Sequence, residues 1–88
     1  MEPRTGTYRH YKSGDLYRVL ALGHDANDED RTVVVYEPLY ERGGPPLAVR
    51  TREDFLAWVD PTSRATVDEG TPGAVRRFTF VAESTEAS

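Results

Sequence analysis

Alternation of polar and apolar side chains marks the start of the chain as a β-hairpin. Successive side chains of TYRHYK, residues 7–12, divide between two faces of an extended chain. The Ser-Gly-Asp triplet at 13–15 is typical of a turn, because its glycine tolerates positive φ. The apolar and aromatic run LYRVLALG, residues 16–23, then resumes the pattern. Two strand-like runs around a short glycine-containing loop predict a hairpin.

The middle of the chain predicts a loop, a central strand and a second loop. HDANDEDR, residues 24–31, is polar and acidic, so we expect it to be a loop. The β-branched run that opens TVVVYEPLY, residues 32–40, favours a central strand buried on both faces. Regular pairing should stop at Pro38, which has no N–H to donate. ERGGPP, residues 41–46, is typical of a loop, and the apolar residues 47–49 predict another short strand.

One segment, TREDFLAWVD at 51–60, departs from the β pattern. It begins with a threonine that can cap a helix, followed by two acidic residues that suit a helix N-terminus. Phe55, Trp58 and Val59 are then spaced as on one helix face. This pattern predicts a short helix near residues 52–59, ended by the following proline.

The rest of the chain predicts short strands and a polar tail. Residues 61–74 are rich in Gly, Pro and Thr, which indicates a loop with a brief strand at 65–67. AVRRFTFVA, residues 74–82, alternates again and places two phenylalanines on one face. The tail 83–88 is expected to be disordered. We therefore predict a mostly β fold: a small SH3-like antiparallel β-barrel of about five strands with one short helix, forming a single domain over residues 1–82.

Composition narrows the classes of protein to consider. The 88-residue chain has no cysteine, so it has neither disulfides nor thiolate metal sites, as expected in a reducing cytoplasm. Its first ten residues contain no apolar run, so we expect no signal peptide and no membrane anchor. The formal net charge of −4 disfavours a general nucleic-acid binder, so RNA is a less favoured partner than a protein or a small anion.

The first predicted strand carries a candidate binding surface. Tyr8, His10 and Lys12 share a face, which offers rings for stacking and charge for a phosphate or carboxylate. Alternatively, this is an ordinary hairpin face in which Tyr8 and His10 bury half of each ring and leave their polar tips in water.

Two further pairs of residues are candidates for the same surface. Tyr36 and Tyr40 flank Pro38 and can line an aromatic groove for an extended peptide, or simply pack at the end of a barrel. Arg50 and Arg77 lie in strand-like segments rather than in acidic loops. They can either present guanidinium groups to an anionic ligand or form ion pairs within the protein, for which the candidate partners are Glu37, Asp54 and Asp60.

The alternative interpretation is a small enzyme, metal-dependent or hydrolytic, centred on His10 and His24. His10 and His24 are the only imidazoles, and acidic residues follow the second. These residues could form a metal site of two histidines and one carboxylate. However, the sequence contains no nucleophile elbow, P-loop or zinc-protease motif. We therefore predict no cofactor.

Many of these residues fall in an order that resembles a known family. The order is Gly6-x-Tyr8-x-His10-Tyr11-Lys12, Gly14, Tyr17-x-Val19, His24, Val35-Tyr36, Leu39-Tyr40, Val49-Arg50, Phe55 and Arg77-Phe78. From about residue 5 to residue 80 it resembles DUF1653, a family of short bacterial proteins of unknown function. The resemblance implies a compact, largely β, SH3-like fold, and it implies no reaction.

Together these observations predict a small cytoplasmic binding module rather than an enzyme. It would recognise a protein or an anionic ligand through an aromatic and basic face made of Tyr8, His10, Lys12, Tyr36, Tyr40, Arg50 and Arg77. We expect no association with a membrane. A partial barrel has an exposed edge strand, so we expect either a monomer or a weak homodimer formed by edge pairing.

Overall fold

The chain forms eight β-strands and one short helix in a computed structural model, which describes residues 3–83. The elements in chain order are β1 (Gly6–His10), β2 (Leu16–Asp25), β3 (Asp28–Pro38), β4 (Ala48–Thr51), α1 (Arg52–Phe55), β5 (Trp58–Val59), β6 (Thr66–Val67), β7 (Val75–Arg76) and β8 (Phe78–Ala82).

The strands pair into two antiparallel sheets. The larger sheet has the order β4-β3-β2-β1-β8, and the smaller one has the order β6-β5-β7. The predicted mostly β class with one short helix is therefore confirmed. The predicted SH3-like barrel of about five strands is not confirmed, because among the described strands β4 and β8 are the two edges of an open sheet.

The predicted N-terminal hairpin is confirmed. Antiparallel pairing of β1 with β2 places Tyr8 opposite Tyr17, and the N–H of His10 donates to the carbonyl of Asp15 at 3.0 Å. The turn closes where the N–H of Gly14 donates to the carbonyl of His10 at 3.0 Å. Gly14 has a φ of +75°, the conformation for which a glycine was expected.

The acidic segment 24–31, expected to be a loop, is mostly strand. β2 continues to Asp25 and β3 begins at Asp28, so only two residues form the turn. The N–H of Asn27 closes this turn on the Asp25 carboxylate at 2.7 Å. This part of the hairpin extends beyond the core, and nearly all of its side chains are exposed. A strand without a buried face needs no alternation of apolar and polar residues, so its sequence looks like that of a loop.

The central strand β3 is buried on one face rather than on two. Val34 and Tyr36 are buried, whereas Val33 and Val35 on the other face are half-buried. The prediction of burial on both faces was wrong, because α1 packs on one side of the sheet. As predicted, β3 ends at Pro38.

The helix forms where predicted but is much shorter. The Thr51 hydroxyl accepts a hydrogen bond from the N–H of Asp54 at 3.1 Å, which is the predicted N-cap. However, α1 ends at Phe55, and Trp58 and Val59 form β5 instead of a second helical turn. Trp58 pairs with Val67 of β6 and Arg76 of β7. Long-range strand pairing therefore replaced the predicted helix over 52–59.

The core lies between the larger sheet and α1. The ring of Phe55 stacks on that of Phe78 with 4.3 Å between centroids and 3° between planes. The rings of Tyr8 and Tyr36 meet Phe55 edge-on at 5.2 and 5.6 Å. Phe55 and Phe78 are buried, whereas Trp58 and Phe80 are half-buried.

The expected disordered tail falls mostly outside the described residues, since only its first residue, Glu83, is included. Within residues 3–83, no helix is both long and apolar enough to cross a membrane.

Candidate functional site

Five aromatic rings meet at one end of the larger sheet. We call them the aromatic cluster, and its members are His10, Tyr17, Tyr36, Tyr40 and Phe78. The imidazole of His10 lies edge-on to the ring of Phe78, with 5.0 Å between centroids. Its centroid is 6.3 Å from that of the Tyr17 ring. Tyr17 in turn contacts the rings of both other tyrosines at 5.7 Å. The end of β1, the start of β2, the end of β3 and the start of β8 bring these rings together.

The cluster presents a pair of hydroxyls at the surface. The oxygens of Tyr17 and Tyr40 are 3.0 Å apart and share a hydrogen bond. Burial, followed by this hydrogen bond, raises the pKa of Tyr17 to about 12. Its phenol therefore keeps its proton at neutral pH and remains able to donate a hydrogen bond.

Arg50 lies beside the cluster with part of its hydrogen-bonding capacity in use. Its Nε donates to the Tyr36 hydroxyl at 2.8 Å, and its Nη1 donates to Oδ2 of Asp54 at 2.5 Å. Its Cζ atom is 5.8 Å from the centroid of the Phe78 ring. Two of its three guanidinium nitrogens are thus fixed within the protein, which holds the group in one orientation.

Arg77 is more deeply engaged than Arg50. Its Nε donates to the carbonyl of Asp54 at 3.0 Å, and its Nη2 lies 3.3 Å from Oδ1 of that residue and 3.2 Å from the Thr66 hydroxyl. Its side chain is 14% exposed. Both arginines therefore form ion pairs within the protein, which was one of the two alternatives. Their partner is Asp54, one of the three candidates.

His10 is held as a neutral donor. The N–H of Lys12 donates to its Nδ1 at 3.1 Å, which assigns the proton of the neutral ring to Nε2. Burial, followed by the charges of Arg50 and Arg77, lowers the pKa of His10. The ring is therefore uncharged at neutral pH and lies in a positive field.

The structure brings together only some of the predicted site residues. His10, Tyr36, Tyr40 and Arg50 lie in or beside the aromatic cluster, while Lys12 is exposed in the turn after β1. Tyr8 and Tyr36 are core residues, 5% and 6% exposed, and the hydroxyl of Tyr8 donates to the carbonyl of Arg4 at 2.7 Å.

Three residues of the site were not among the predicted binding residues: Tyr17, Phe78 and Asp54. Tyr17 contacts the other four rings of the cluster, and Asp54 joins the two arginines. Strand alternation already placed Tyr17 on the inner face of β2, two residues before the buried Val19, which was the available signal. Asp54 was predicted in the first turn of a helix and as one of three possible ion-pair partners of the arginines, but local patterns could not decide which of the three lies beside Arg77.

The structure does not form a metal site shared by His10 and His24. His10 contacts Tyr17, and His24 lies seven residues further along the same strand as Tyr17, a separation of about 23 Å in extended chain. No group of three His, Cys, Asp or Glu side chains within residues 3–83 is arranged to hold a metal ion. A reaction centre built on both imidazoles was therefore a wrong hypothesis.

Comparison with known proteins agrees with the resemblance of the sequence. A family model described as "Protein of unknown function (DUF1653)" matches residues 6–80. A crystal structure of a DUF1653 protein from Bordetella bronchiseptica is similar over 97% of this chain and 95% of that one, with 34% identity and a TM-score of 0.73. No curated protein matches this chain. The chain belongs to the DUF1653 family of proteins of unknown function.

Proposed function

We propose that this protein is a binding module that recognises an anionic group, on a protein or on a small ligand, at the surface of His10, Tyr17, Tyr40 and Arg50. The observation that carries the proposal is the positive field around a neutral, hydrogen-bond-donating imidazole in a protein of net charge −4.

The charges nearest His10 explain this field. Arg50, Arg77 and Lys12 all act to lower the pKa of the imidazole, whereas Asp15 raises it and has the smallest effect. A negative charge placed near the ring gains from the same field that disfavours its protonation.

The groups around His10 are suited to an oxyanion. The Nε2–H of His10 is a donor, and so is one of the Tyr17 and Tyr40 hydroxyls, since the proton of the other is used in the bond between them. The Nη2 of Arg50 makes neither of the hydrogen bonds that orient its guanidinium. The tyrosine rings supply apolar walls for the group that carries the anion. A carboxylate or phosphate is the chemistry that such donors recognise.

The partner and the location follow from sequence features. The acidic net charge favours a protein or a small anion over RNA. A chain without cysteine supports a cytoplasmic location. Self-association by edge pairing remains a prediction, for which the edge strand β4, with Val49 60% exposed, is the candidate surface.

The test is an NMR titration with inorganic phosphate and with acetate at two salt concentrations. We expect the His10 ring resonances to shift in a saturable way, the His10 pKa to rise in the bound state, and affinity to fall with added salt. Arg50→Gln should weaken binding by about tenfold, as for loss of a charge-assisted hydrogen bond.

The control variant is Arg9→Gln, which removes one positive charge from an exposed position of β1. It should bind as the wild type does. The proposal is wrong if neither anion shifts the His10 ring, or if both variants weaken binding equally.

A further inference from the structure

A cavity of about 570 Å³ lies beside the edge strand β8. It is bounded by the N-terminal segment, by β8, and by residues from α1 and β7 that face them. Its volume falls within the roughly 300–1,000 Å³ of typical small-molecule sites. Phe78 is the only member of the aromatic cluster that also lines it, so the cavity is distinct from the surface proposed above.

The walls of the cavity are largely apolar and aromatic. Phe78 and Tyr8 contribute the most buried lining, and Phe80, Leu56 and Pro3 complete it. The position of the N-terminal wall is fixed, because the hydroxyl of Tyr8 donates to the carbonyl of Arg4 at 2.7 Å. The rings of Tyr8 and Phe80 meet edge-on at 5.3 Å, which fixes the aromatic wall as well.

Two arginines supply the charge of the cavity. The Cζ atom of Arg4 lies 3.8 Å from the centroid of the Phe80 ring. The Cζ atom of Arg76 lies 4.7 Å from the centroid of the Trp58 ring, and its Nη1 donates to the carbonyl of Leu56 at 2.8 Å. Both guanidinium groups are thus positioned by aromatic stacking, and that of Arg76 also by a backbone carbonyl.

The part of the cavity wall that residues 3–83 form carries no negative charge. None of its described lining residues is acidic. Glu83 lies 3.5 Å from Arg4, but both side chains are largely exposed, at 75% and 62%. An exposed ion pair of this kind is weak and yields readily to a better-placed anion.

We infer that this cavity binds a small carboxylate joined to a flat apolar group. The ring of such a ligand would lie against the aromatic wall, and its carboxylate would pair with Arg4 and Arg76. The cavity combines aromatic and apolar walls with two arginines, and its described lining residues include no acidic one. This lining matches an amphipathic carboxylate better than a sugar, a nucleobase alone or a cation.

The experiment uses the full chain and 3-phenylpropionate as the probe. Trp58 is the only tryptophan and stacks with Arg76, so movement of that guanidinium toward a ligand should change tryptophan fluorescence. We expect saturable binding in the millimolar range or tighter. The neutral 3-phenylpropionamide and the ring-free acetate should each bind at least about tenfold more weakly, because each lacks one of the two interactions.

Variants and a second source of the same chemistry complete the design. By calorimetry, Arg76→Gln and Arg4→Gln should each weaken 3-phenylpropionate by about tenfold, whereas Arg9→Gln should not. A peptide ending in phenylalanine with a free carboxylate, compared with the amidated peptide, shows whether a protein C-terminus also fits.

The inference is overturned if 3-phenylpropionate does not bind, if the amide binds equally well, or if all three arginine variants behave alike. These outcomes are independent of the proposed anion surface. Binding at that surface is measured from the His10 ring resonances during titration with phosphate. If phosphate does not bind there, 3-phenylpropionate can still bind in the cavity.

Discussion

Arg77 contacts both the main chain and the side chain of Asp54. Its Nε lies 3.0 Å from the carbonyl oxygen of Asp54, and its Nη2 lies 3.3 Å from the carboxylate. These residues are 23 positions apart, and the contact joins α1 to the residue between β7 and β8. It lies beside the pairing of β5 with β7, and next to it the N–H of Arg77 donates to the carbonyl of Ala57 at 3.0 Å. The largely buried guanidinium therefore adds side-chain contacts to a junction that the main chain already forms.

We expect Arg77→Ala to destabilise the protein by about 2–3 kcal/mol, because it removes the charged hydrogen bonds that a largely buried guanidinium makes to the carbonyl and the carboxylate of Asp54. Arg77→Lys should recover only part of the loss, since an ammonium cannot reproduce the two-nitrogen contact. Urea unfolding measures both variants. The matched control, Arg9→Ala at an exposed position, should change stability by less than about 0.5 kcal/mol. Equal effects of the two alanine substitutions would contradict this role for Arg77.

Gly6→Ala should destabilise the protein by about 2–3 kcal/mol, because two causes act together. Gly6 has a φ of +140°, and a Cβ there would lie 2.6 Å from the carbonyl oxygen of Ala82. Gly43 is the matched control, because a Cβ there meets nothing within 4 Å. Thermal unfolding should show a lower midpoint for Gly6→Ala alone. An unchanged midpoint would mean that β1 and β8 are not packed as described.

Thr51→Ala should reduce the free energy of unfolding by about 1 kcal/mol through loss of the N-cap. The Thr51 hydroxyl accepts from the N–H of Asp54 at 3.1 Å, and α1 has only four residues to spread the loss over. Thr51→Ser keeps the accepting oxygen and is expected to behave nearly as the wild type. Chemical denaturation of the three proteins tests this, and a serine variant as unstable as the alanine variant would exclude capping as the cause.

Stability should fall as the pH decreases below about 6.5, the ordinary value for histidine, because the pKa of His10 is lowered in the folded state. In that range the unfolded chain binds a proton that the folded chain resists, so the free energy of unfolding decreases with falling pH. This contribution is complete above 6.5 and is lost as the pH falls through the lowered pKa.

His10→Gln should flatten the stability profile between pH 7 and 5.5, while His24→Gln, at an exposed position, serves as the control for removing one imidazole. Unfolding in urea at several pH values gives both profiles. If the two variants have the same slope as the wild type, His10 does not carry the pH dependence.

Local patterns predicted the elements that have a buried face. The first hairpin, the end of β3 at Pro38 and the cap at Thr51 each depend on a few adjacent residues, and each is present. The distal part of the second hairpin was missed because its exposed side chains carry no alternation. The prediction of a helix over 52–59 was wrong because Trp58 pairs with strand residues distant in sequence.

The candidate site shows the same division. The sequence pointed to His10, Tyr40 and Arg50, because aromatic and basic side chains near strand ends are informative on their own. It did not distinguish these residues from Tyr8, which lies on the same face of β1 as His10 but is buried against α1. The cavity beside β8 was not predicted at all, since its lining residues come from three distant parts of the chain.

What the amino-acid sequence determined by itself was the family, the mostly β class and the turn and cap positions, because these depend on local chemistry and on a motif order that spans the chain. Only the tertiary structure decided that the sheet stays open, that Asp54 joins two arginines and that Arg4 and Arg76 border one cavity. The physical reason is that these features depend on contacts between residues far apart in sequence, where packing and strand pairing override local preference.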